Sequence, residues 1–198
     1  MKQPPFAPDH QQPNLFSFVQ ENELKARKII EKYPPGRQAS ALVPLLDLAQ
    51  RQNNNWLSKS AIRYVANLLN VSETRAFEVA TFYSMFRLTP CGQFLIQLCR
   101  TTPCWLRGSE GLQETCKRTL GLDIGDTTKD DMFTVVEVEC LGACVNAPVI
   151  QINDDYYEDM TDQKLISVLE GLRCNKDATS DTSKASPTLH SFHRDHEK

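Results

Sequence analysis

Residues 93–104, QFLIQLCRTTPC, and residues 133–144, FTVVEVECLGAC, are built alike, because in each a short apolar run leads into two closely spaced cysteines. Aliphatic and aromatic side chains dominate Gln93–Leu98 and Phe133–Val138, a pattern that predicts a β-strand in both places. Each strand then ends in a loop that carries a cysteine pair. If the two strands are neighbours in one sheet, their ends bring both loops together.

The cysteines of these loops form two pairs, with four residues between the members of the first pair and three between those of the second. They are Cys99, Cys104, Cys140 and Cys144. Two loops that each deliver two thiolates can surround one inorganic centre, and four cysteinates are the ligands of a [2Fe–2S] cluster. Gly142 permits close approach of the second loop, so that backbone N–H groups can hydrogen-bond to cluster sulfurs. The spacing predicts a protein that carries electrons.

Other chemistries of four cysteines stay open on spacing alone. Structural zinc also takes four thiolates, as in a zinc-binding assembly module, but its commonest loop is C-x2-C. A dithiol oxidoreductase carries C-x-x-C at the start of a helix, and the sequence has no such pair. Four unrelated core cysteines are the simplest alternative. The cluster is the interpretation that best fits two loops with wider spacing.

The remaining cysteines are excluded as ligands, because each has a simpler explanation. Cys116 shares an apolar helix face with Leu112 and Leu120, so it is predicted to be a small core residue. Cys91 lies in the turn between the two halves of the chain, and Cys174 ends the last predicted helix.

Charged residues near the loops and at the C-terminus have weaker functional interpretations. Arg100 and Arg107 are candidate neighbours that favour the reduced cluster, although loop arginines are usually solvated. Three histidines near the C-terminus form an H-x2-H-x2-H run in a polar segment, where solvation is a simpler explanation than a metal site. They are His190, His193 and His196.

Composition excludes several classes of function. Of the 198 residues, 40% are hydrophobic and 24% are charged, with a net charge of −3, which is ordinary for a soluble globular protein with protein partners. The sequence has no dense basic stretch for nucleic acid or an anionic membrane, and no run reaches the roughly 18 apolar residues of a membrane helix. The G-x-G-x-x-G fingerprint and the Walker A loop are absent, so no nucleotide site is expected on this chain.

Targeting signals are also missing from the start of the sequence. Residues 1–14 contain neither the apolar segment of a secretion signal nor an Arg-rich amphipathic pattern. We therefore expect the chain to remain in the compartment where it is made. Its odd number of cysteines, seven, favours a reducing compartment.

The chain divides near residue 90, where a proline and a glycine separate helical from strand-like periodicity. We expect a helical bundle domain over residues 16–90 and a domain of strands and helices over residues 91–174. Residues 1–15 and 175–198 are polar or proline-rich and are expected to be disordered tails. The predicted fold class is α+β.

Four helices are predicted in the first half from apolar residues that recur at helical spacing. Ser72 can cap the fourth, with Phe77, Ala80, Tyr83 and Met85 on its apolar side. Pro44 indicates that the second helix starts close to it or is kinked there.

The second half follows the order β-α-β-β-β-α. Beyond the two strands described above, Val149–Ile152 and Tyr156-Tyr157 supply two more, joined across a turn of Asn and Asp residues. A final helix begins near Thr161. This order indicates a small mixed sheet covered by helices.

Four stretches carry a resemblance to a known family: LDLAQRQ (46–52), FEVATFYSMF (77–86), CRTTPCWLRGS (99–109) and VEVECLGACVNAPVIQINDDYYEDM (136–160). They resemble the NuoE-type [2Fe–2S] subunits of respiratory complex I, the NADH:quinone oxidoreductase. The resemblance covers about residues 15–173, and the two cysteine loops with their flanks are its most specific part.

The resemblance implies a helical N-terminal domain followed by a thioredoxin-like ferredoxin domain. One [2Fe–2S] cluster would be held at the positions of Cys99, Cys104, Cys140 and Cys144. In that family the subunit packs against a flavoprotein subunit that binds FMN and NADH, and its cluster exchanges single electrons with the flavin. Other peripheral-arm subunits complete the partners, and no independent NADH site is expected on this chain.

The resemblance also implies an oxidoreductase role within a proton-translocating complex. The expected location is the cytoplasmic face of the bacterial inner membrane, or the matrix side of the mitochondrial inner membrane. A homologous diaphorase subunit of an NAD-linked hydrogenase or formate dehydrogenase shares the same domain and partner, so sequence motifs barely separate the two roles.

Overall fold

Four helices fill the first half of the chain in the computed structural model, which describes residues 6–179. They are α1 (Gln20–Ile30), α2 (Leu42–Gln52), α3 (Lys59–Leu68) and α4 (Glu73–Phe82). The Ser58 hydroxyl caps α3 by accepting from the Ala61 N–H group, and the Ser72 hydroxyl caps α4 by accepting from the Arg75 N–H group. Pro44 lies in the first turn of α2, where its missing N–H group leaves no helical hydrogen bond unmade, so the helix starts close to it.

The apolar faces of these helices meet in one core. It includes Leu45, Leu46, Leu57, Ile62, Val65 and Phe86, all at most 2% exposed. The prediction for the end of the fourth helix was wrong, because Tyr83 and Met85 are 43% and 45% exposed. Helix α4 ends at Phe82 and the backbone of Tyr83 is extended, so the chain leaves the helical face before those two residues.

The segment from residue 6 to residue 15, expected to belong to a disordered tail, packs on the helical core. Ala7 is 1% exposed and its N–H group donates to the Leu88 carbonyl at 2.9 Å. The ring of Phe6 meets that of Phe77 edge-on, with centroids 5.6 Å apart. Composition misled the prediction, because two apolar side chains anchor a segment that is otherwise rich in Pro and Gln.

A four-stranded mixed sheet forms in the second half, as the α+β prediction requires. Its strands are β1 (Phe94–Cys99), β2 (Phe133–Val138), β3 (Ile150–Ile152) and β4 (Asp155–Tyr157), arranged in the order β2-β1-β3-β4. Strands β1 and β2 are parallel, whereas β1–β3 and β3–β4 are antiparallel. The central position of β1 gives it neighbours on both sides.

Three helices accompany the sheet: α5 (Thr102–Leu106), α6 (Ser109–Leu120) and α7 (Asp162–Thr179). Leu112 of α6 and Leu165 of α7 are buried in one cluster with Ile96 and Phe133 of the sheet. Helix α7 continues past Cys174, where the sequence predicted its end. The rest of the predicted C-terminal tail, including its three histidines, lies outside the described residues.

Two polar side chains of α2 make contacts beyond the helix, Gln50 within the helical half and Arg51 to the sheet. Gln50, which is buried, donates to the Met85 carbonyl and accepts from the Arg87 N–H group at 2.7 Å. Arg51 forms a bidentate ion pair with Asp154 in the β3–β4 turn, at 2.5 and 2.9 Å. Hydrogen bonding to Arg51 holds the pKa of Asp154 below its ordinary value. Among helices within residues 6–179, none is long and apolar enough to cross a lipid bilayer.

Candidate metal centre

The parallel pairing of β1 and β2 places the two cysteine loops at one edge of the sheet. Cys99, the last residue of β1, lies opposite Val138, the last residue of β2. Cys140 therefore follows two residues beyond the end of a strand that is hydrogen-bonded to the strand of Cys99. The expectation that adjacent strand ends join the loops is confirmed.

Each sequence pair is also a pair in space. The sulfurs of Cys140 and Cys144 are 3.5 Å apart. The sulfurs of Cys99 and Cys104 are within hydrogen-bonding reach of each other, and Cys144 interacts electrostatically with both. All four predicted residues are thus brought together.

The two pairs differ in their exposure to solvent. Cys99 and Cys104 are each 1% exposed and pack against Ala147 and Val149, whereas Cys140 and Cys144 are exposed. A backbone hydrogen bond also links the inner pair to the neighbouring chain, because the Cys99 N–H group donates to the Val149 carbonyl. The site has a dry inner side and an open outer side.

Hydrogen-bond donors point at the sulfurs from both loops. The Thr101 hydroxyl lies 3.4 Å from Cys99 Sγ, and the Leu141 N–H group also reaches that sulfur. On the outer side the Gly142 N–H group donates to Cys140 Sγ at 3.4 Å. Gly142 has a φ of +86°, a conformation that a residue with a Cβ rarely adopts.

A tyrosine holds the second loop in place from the sheet. The Tyr156 hydroxyl donates to the Leu141 carbonyl at 3.0 Å, and the N–H group of the same Leu141 faces Cys99 Sγ. Tyr156 in β4 therefore restrains Leu141, whose N–H group donates to the Cys99 sulfur. Fixed donors of this kind orient ligands and influence the properties of a bound metal centre.

The thiols do not ionise equally. Burial disfavours the Cys99 thiolate, but hydrogen bonds from the Thr101 hydroxyl and from the Leu141 and Thr101 N–H groups outweigh it and lower the pKa of Cys99. Burial raises the pKa of Cys104 to about 11, and the hydrogen bond to Cys140 raises the pKa of Cys144. Because metals bind thiolates, binding of a metal centre to these thiols would release protons.

Four thiolates grouped as two pairs fit a binuclear iron–sulfur centre, in which each iron takes two protein ligands. The backbone N–H donors around the sulfurs fit the negative charge of such a centre. Within residues 6–179, no group of three or more His, Cys, Asp or Glu side chains is arranged to hold a metal ion. The two thiol pairs are compatible with the predicted [2Fe–2S] ligand set.

The two arginines proposed as neighbours of the cluster have other partners in the structure. The Arg100 guanidinium pairs with Glu137 at 3.3 Å and with Glu110 at 3.5 Å. Arg107 Nε donates to the Ala147 carbonyl at 3.3 Å. A role for either in favouring the reduced form stays a prediction.

The other cysteines lie apart from the site. Cys116 is fully buried among apolar side chains, and burial raises its pKa to about 12. Cys91 contacts the Asn55 carbonyl at 3.4 Å, and Cys174 is exposed on α7. The prediction that Cys116 is a core residue is confirmed.

Sequence reasoning missed the contributions of Thr101 and Tyr156. Thr101 stands two residues after a cysteine and two before Pro103, and a threonine next to a short helix is ordinarily interpreted as a cap. The sequence pattern places Tyr156 in a strand, but its reach to Leu141 depends on the antiparallel pairing of β3 and β4. Only Thr101 could have been identified from the local sequence, because its hydroxyl lies within a cysteine loop.

Comparison with known proteins agrees with this geometry. The sequence model of a family described as thioredoxin-like [2Fe-2S] ferredoxin matches residues 26–173. The chain is 58% identical over 158 residues to an NADH-quinone oxidoreductase subunit of Rickettsia bellii (strain RML369-C), and the match covers 80% of this chain and 95% of that protein. It is 51% identical over 168 residues to NADH dehydrogenase [ubiquinone] flavoprotein 2, mitochondrial, of Dictyostelium discoideum, covering 85% and 68% of the two chains.

Among solved structures, the chain is similar to the NAD+-reducing [NiFe]-hydrogenase in its air-oxidized state. The TM-score is 0.58 at 19% sequence identity, and the match covers 66% of this chain and 23% of that one. At this identity the similarity concerns the fold alone.

Proposed function

The chain belongs to the thioredoxin-like [2Fe–2S] ferredoxin family, and from that membership we propose that it is the electron-carrying iron–sulfur subunit of an NADH:quinone oxidoreductase. The observation that carries this conclusion is the convergence of two thiol pairs at one edge of the sheet. Identity of 58% with the Rickettsia bellii protein, over 95% of its length, supports the particular complex.

We assign the ligands by their pairing in space. Cys99 and Cys104 would hold one iron on the dry side, and Cys140 and Cys144 would hold the other on the open side. When bound, the cluster accepts and returns one electron at a time. The chain's own residues hold the four thiolates, exclude water from the inner pair and direct backbone donors at the sulfurs.

The open side is the face that we propose for electron exchange. Exposed apolar side chains follow directly after the cysteines of both loops: Trp105 is 50% exposed, Leu106 70% and Val145 98%. Exposed apolar surface of this kind is typical of protein–protein contacts. A partner docked there would bring its redox centre close to the exposed thiolates Cys140 and Cys144.

The partner that fits this role is a flavoprotein subunit that carries FMN and the NADH site. A cluster takes single electrons whereas NADH delivers a hydride, so a flavin is the suitable intermediary. The absence of nucleotide-binding motifs from this sequence supports placing NADH on the partner. The assembly would be the peripheral arm of a proton-translocating complex, on the cytoplasmic face of the bacterial inner membrane or the matrix side in mitochondria.

We further propose a division of labour between two domains. Residues 91–174 hold the cluster, and residues 16–90 form a helical domain that contributes to docking on the flavoprotein. The change from helices to strands between α4 and β1 supports a boundary near residue 90.

Serine variants test the ligand set. Cys140→Ser removes an exposed thiolate with little change in volume, and Cys174→Ser is a matched control because Cys174 is also exposed. We expect iron and acid-labile sulfide to fall in the purified Cys140→Ser chain and to stay at the wild-type level in the Cys174→Ser chain. Equal cluster content in the two variants would show that Cys140 is not a ligand.

Purification from the host tests the identity of the complex. A tagged chain extracted from membranes in mild detergent should bring with it an FMN protein, NADH oxidation activity and membrane subunits. Recovery with a hydrogenase or a molybdenum subunit instead would assign the chain to a different NAD-linked enzyme.

A further inference from the structure

Thr101 has the position of a helix cap without making the bond of one. It is the residue before α5, where a threonine hydroxyl usually accepts from the second or third N–H group of the helix. No such hydrogen bond is formed. The second position is Pro103, which has no N–H group to offer. The hydroxyl is turned instead toward Cys99 Sγ, at 3.4 Å.

We propose that Thr101 is a positioning residue whose hydroxyl donates a hydrogen bond to the Cys99 thiolate and thereby raises the reduction potential of the cluster. This inference rests on the proposed function, because it needs a cluster bound through Cys99. Thr101 would then influence the electron affinity of the cluster without being one of its ligands.

The direction of the hydrogen bond follows from the chemistry of the ligand. A thiol and a hydroxyl can each donate, but a cysteine bound to iron is a thiolate and has no proton, so the hydroxyl must be the donor. Cys99 is 1% exposed, and water has little access to replace a lost donor. Hydrogen bonds to charged groups in such surroundings are stronger than those between neutral groups.

Thr101 is also distinct among the donors. The Leu141 and Gly142 donors are backbone N–H groups, which a side-chain substitution does not remove. Cysteines aside, the Thr101 hydroxyl is the one side-chain donor to the four sulfurs within residues 6–179. It is therefore the donor that a point mutation can remove without altering the loop backbone.

The effect on the potential has a definite sign. Reduction adds one electron and one negative charge to the cluster and changes no ligand, so a donor to a ligand sulfur stabilises the reduced form more than the oxidised form. Removing the donor should make the cluster harder to reduce. A tenfold change in the equilibrium constant for reduction corresponds to about 59 mV for a one-electron couple, and we expect a shift of that order.

The experiment compares three variants of the full chain by redox titration, with dithionite as the reductant and electron paramagnetic resonance as the readout. Thr101→Val removes the hydroxyl at nearly constant shape, and Thr101→Ser retains it. Thr102→Val is the matched control, because Thr102 is the next residue, is exposed and makes no hydrogen bond through its hydroxyl to a described residue. We expect a more negative midpoint potential in Thr101→Val alone.

A second measurement keeps the test independent of how well valine is accommodated. In the reduced wild-type chain in deuterated water, electron–nuclear double resonance should detect an exchangeable deuteron that is absent from Thr101→Val and from Thr101→Ala and present in Thr101→Ser. Intact clusters with the wild-type potential in Thr101→Val, or equal shifts in Thr101→Val and Thr102→Val, overturn this inference. Absence of iron and sulfide from every chain, wild type included, overturns the proposed function instead.

Discussion

Cys99 and Cys116 show how the surroundings of one side chain decide its chemistry. Both are at most 1% exposed, yet the pKa of Cys99 is lowered and that of Cys116 is raised to about 12. The difference lies in the donors, because Cys99 faces a hydroxyl and N–H groups whereas Cys116 packs against Leu112 and other apolar neighbours. Helical spacing was sufficient to predict Cys116 as a core residue. The donors around Cys99 come from two loops and were beyond that reasoning, apart from the general expectation of backbone N–H groups.

A pH-dependent stability follows from the buried thiol of Cys116. Because its pKa in the folded chain lies above the ordinary value of 9.0, its contribution to stability is complete below about pH 9 and is lost as pH rises toward about 12. Between pH 9 and 10 the free energy of unfolding should fall by about 1 kcal/mol through this group. Cys116→Ala should lack that part of the decline.

Urea unfolding followed by circular dichroism at pH 8, 9 and 10 provides the measurement. The advantage of the wild-type chain over Cys116→Ala should shrink as the pH rises. Cys174→Ala, which alters an exposed thiol, should track the wild type. A constant difference between wild type and Cys116→Ala at the three pH values would contradict the assignment.

At the scale of elements, the pairing of β1 with β2 brings the two cysteine loops together. Gly92 permits the close approach of the chain to β2 where that pairing starts. A Cβ at residue 92 would lie 2.8 Å from backbone atoms of Phe133, and the Gly92 N–H group donates to the Thr134 hydroxyl at 2.6 Å. The sequence identified this glycine as a break between helical and strand-like periodicity. Its closer role is contact with the neighbouring strand, which periodicity along one segment does not reveal.

Gly92→Ala should therefore destabilise the chain by about 1–3 kcal/mol, the usual cost of overpacking a well-packed contact. Gly171→Ala is the matched control, because Gly171 lies in α7 with no atom within 4 Å of the position that a Cβ would take, and alanine favours helices. Thermal unfolding should show a lower midpoint for Gly92→Ala and an equal or higher one for Gly171→Ala. Equal midpoints for Gly92→Ala and the wild type would show that the chain accommodates a Cβ at residue 92 without loss of stability, and would contradict this prediction.

The elements themselves were largely predictable from sequence, and their arrangement only in outline. Apolar patterns predicted both strands that carry cysteines, and Ser72 indicated the start of α4. The position of β3 beside β1, and hence the reach of Tyr156 to Leu141, depends on contacts between distant segments. Local propensity does not contain that information, which is why the candidate ligands could be named from spacing but the donors around them could not.

For the whole molecule, two neighbouring residues of α2 make polar contacts of different kinds: a buried amide within the helical half and an exposed ion pair to the β3–β4 turn. Gln50 is 6% exposed and satisfies two backbone groups, whereas Arg51 and Asp154 are 50% and 66% exposed in their side chains. Exposed ion pairs are screened by water and salt, and buried unpaired groups are costly. The neutral residue should therefore matter more than the charged pair.

Gln50→Leu should lower the free energy of unfolding by about 2 kcal/mol, because it leaves the half-buried Arg87 N–H group without a partner and leaves the Met85 carbonyl with only the Arg87 side chain as a donor within residues 6–179. Asp154→Asn should cost about 1 kcal/mol or less, with a smaller effect at high salt. Chemical unfolding of both variants at low and high salt measures the two effects. A larger loss in Asp154→Asn would reverse this ranking and make the ion pair the principal contact.

The central claim is that the four converging thiolates hold one [2Fe–2S] cluster. Electron paramagnetic resonance of the purified chain before and after dithionite, on a sample also analysed for iron, acid-labile sulfide and zinc, tests it most directly. We expect a rhombic signal that develops on reduction, with about two irons and two sulfides per chain. Zinc without iron or sulfide, and no signal after anaerobic preparation and reduction, would contradict the claim and favour a structural zinc site.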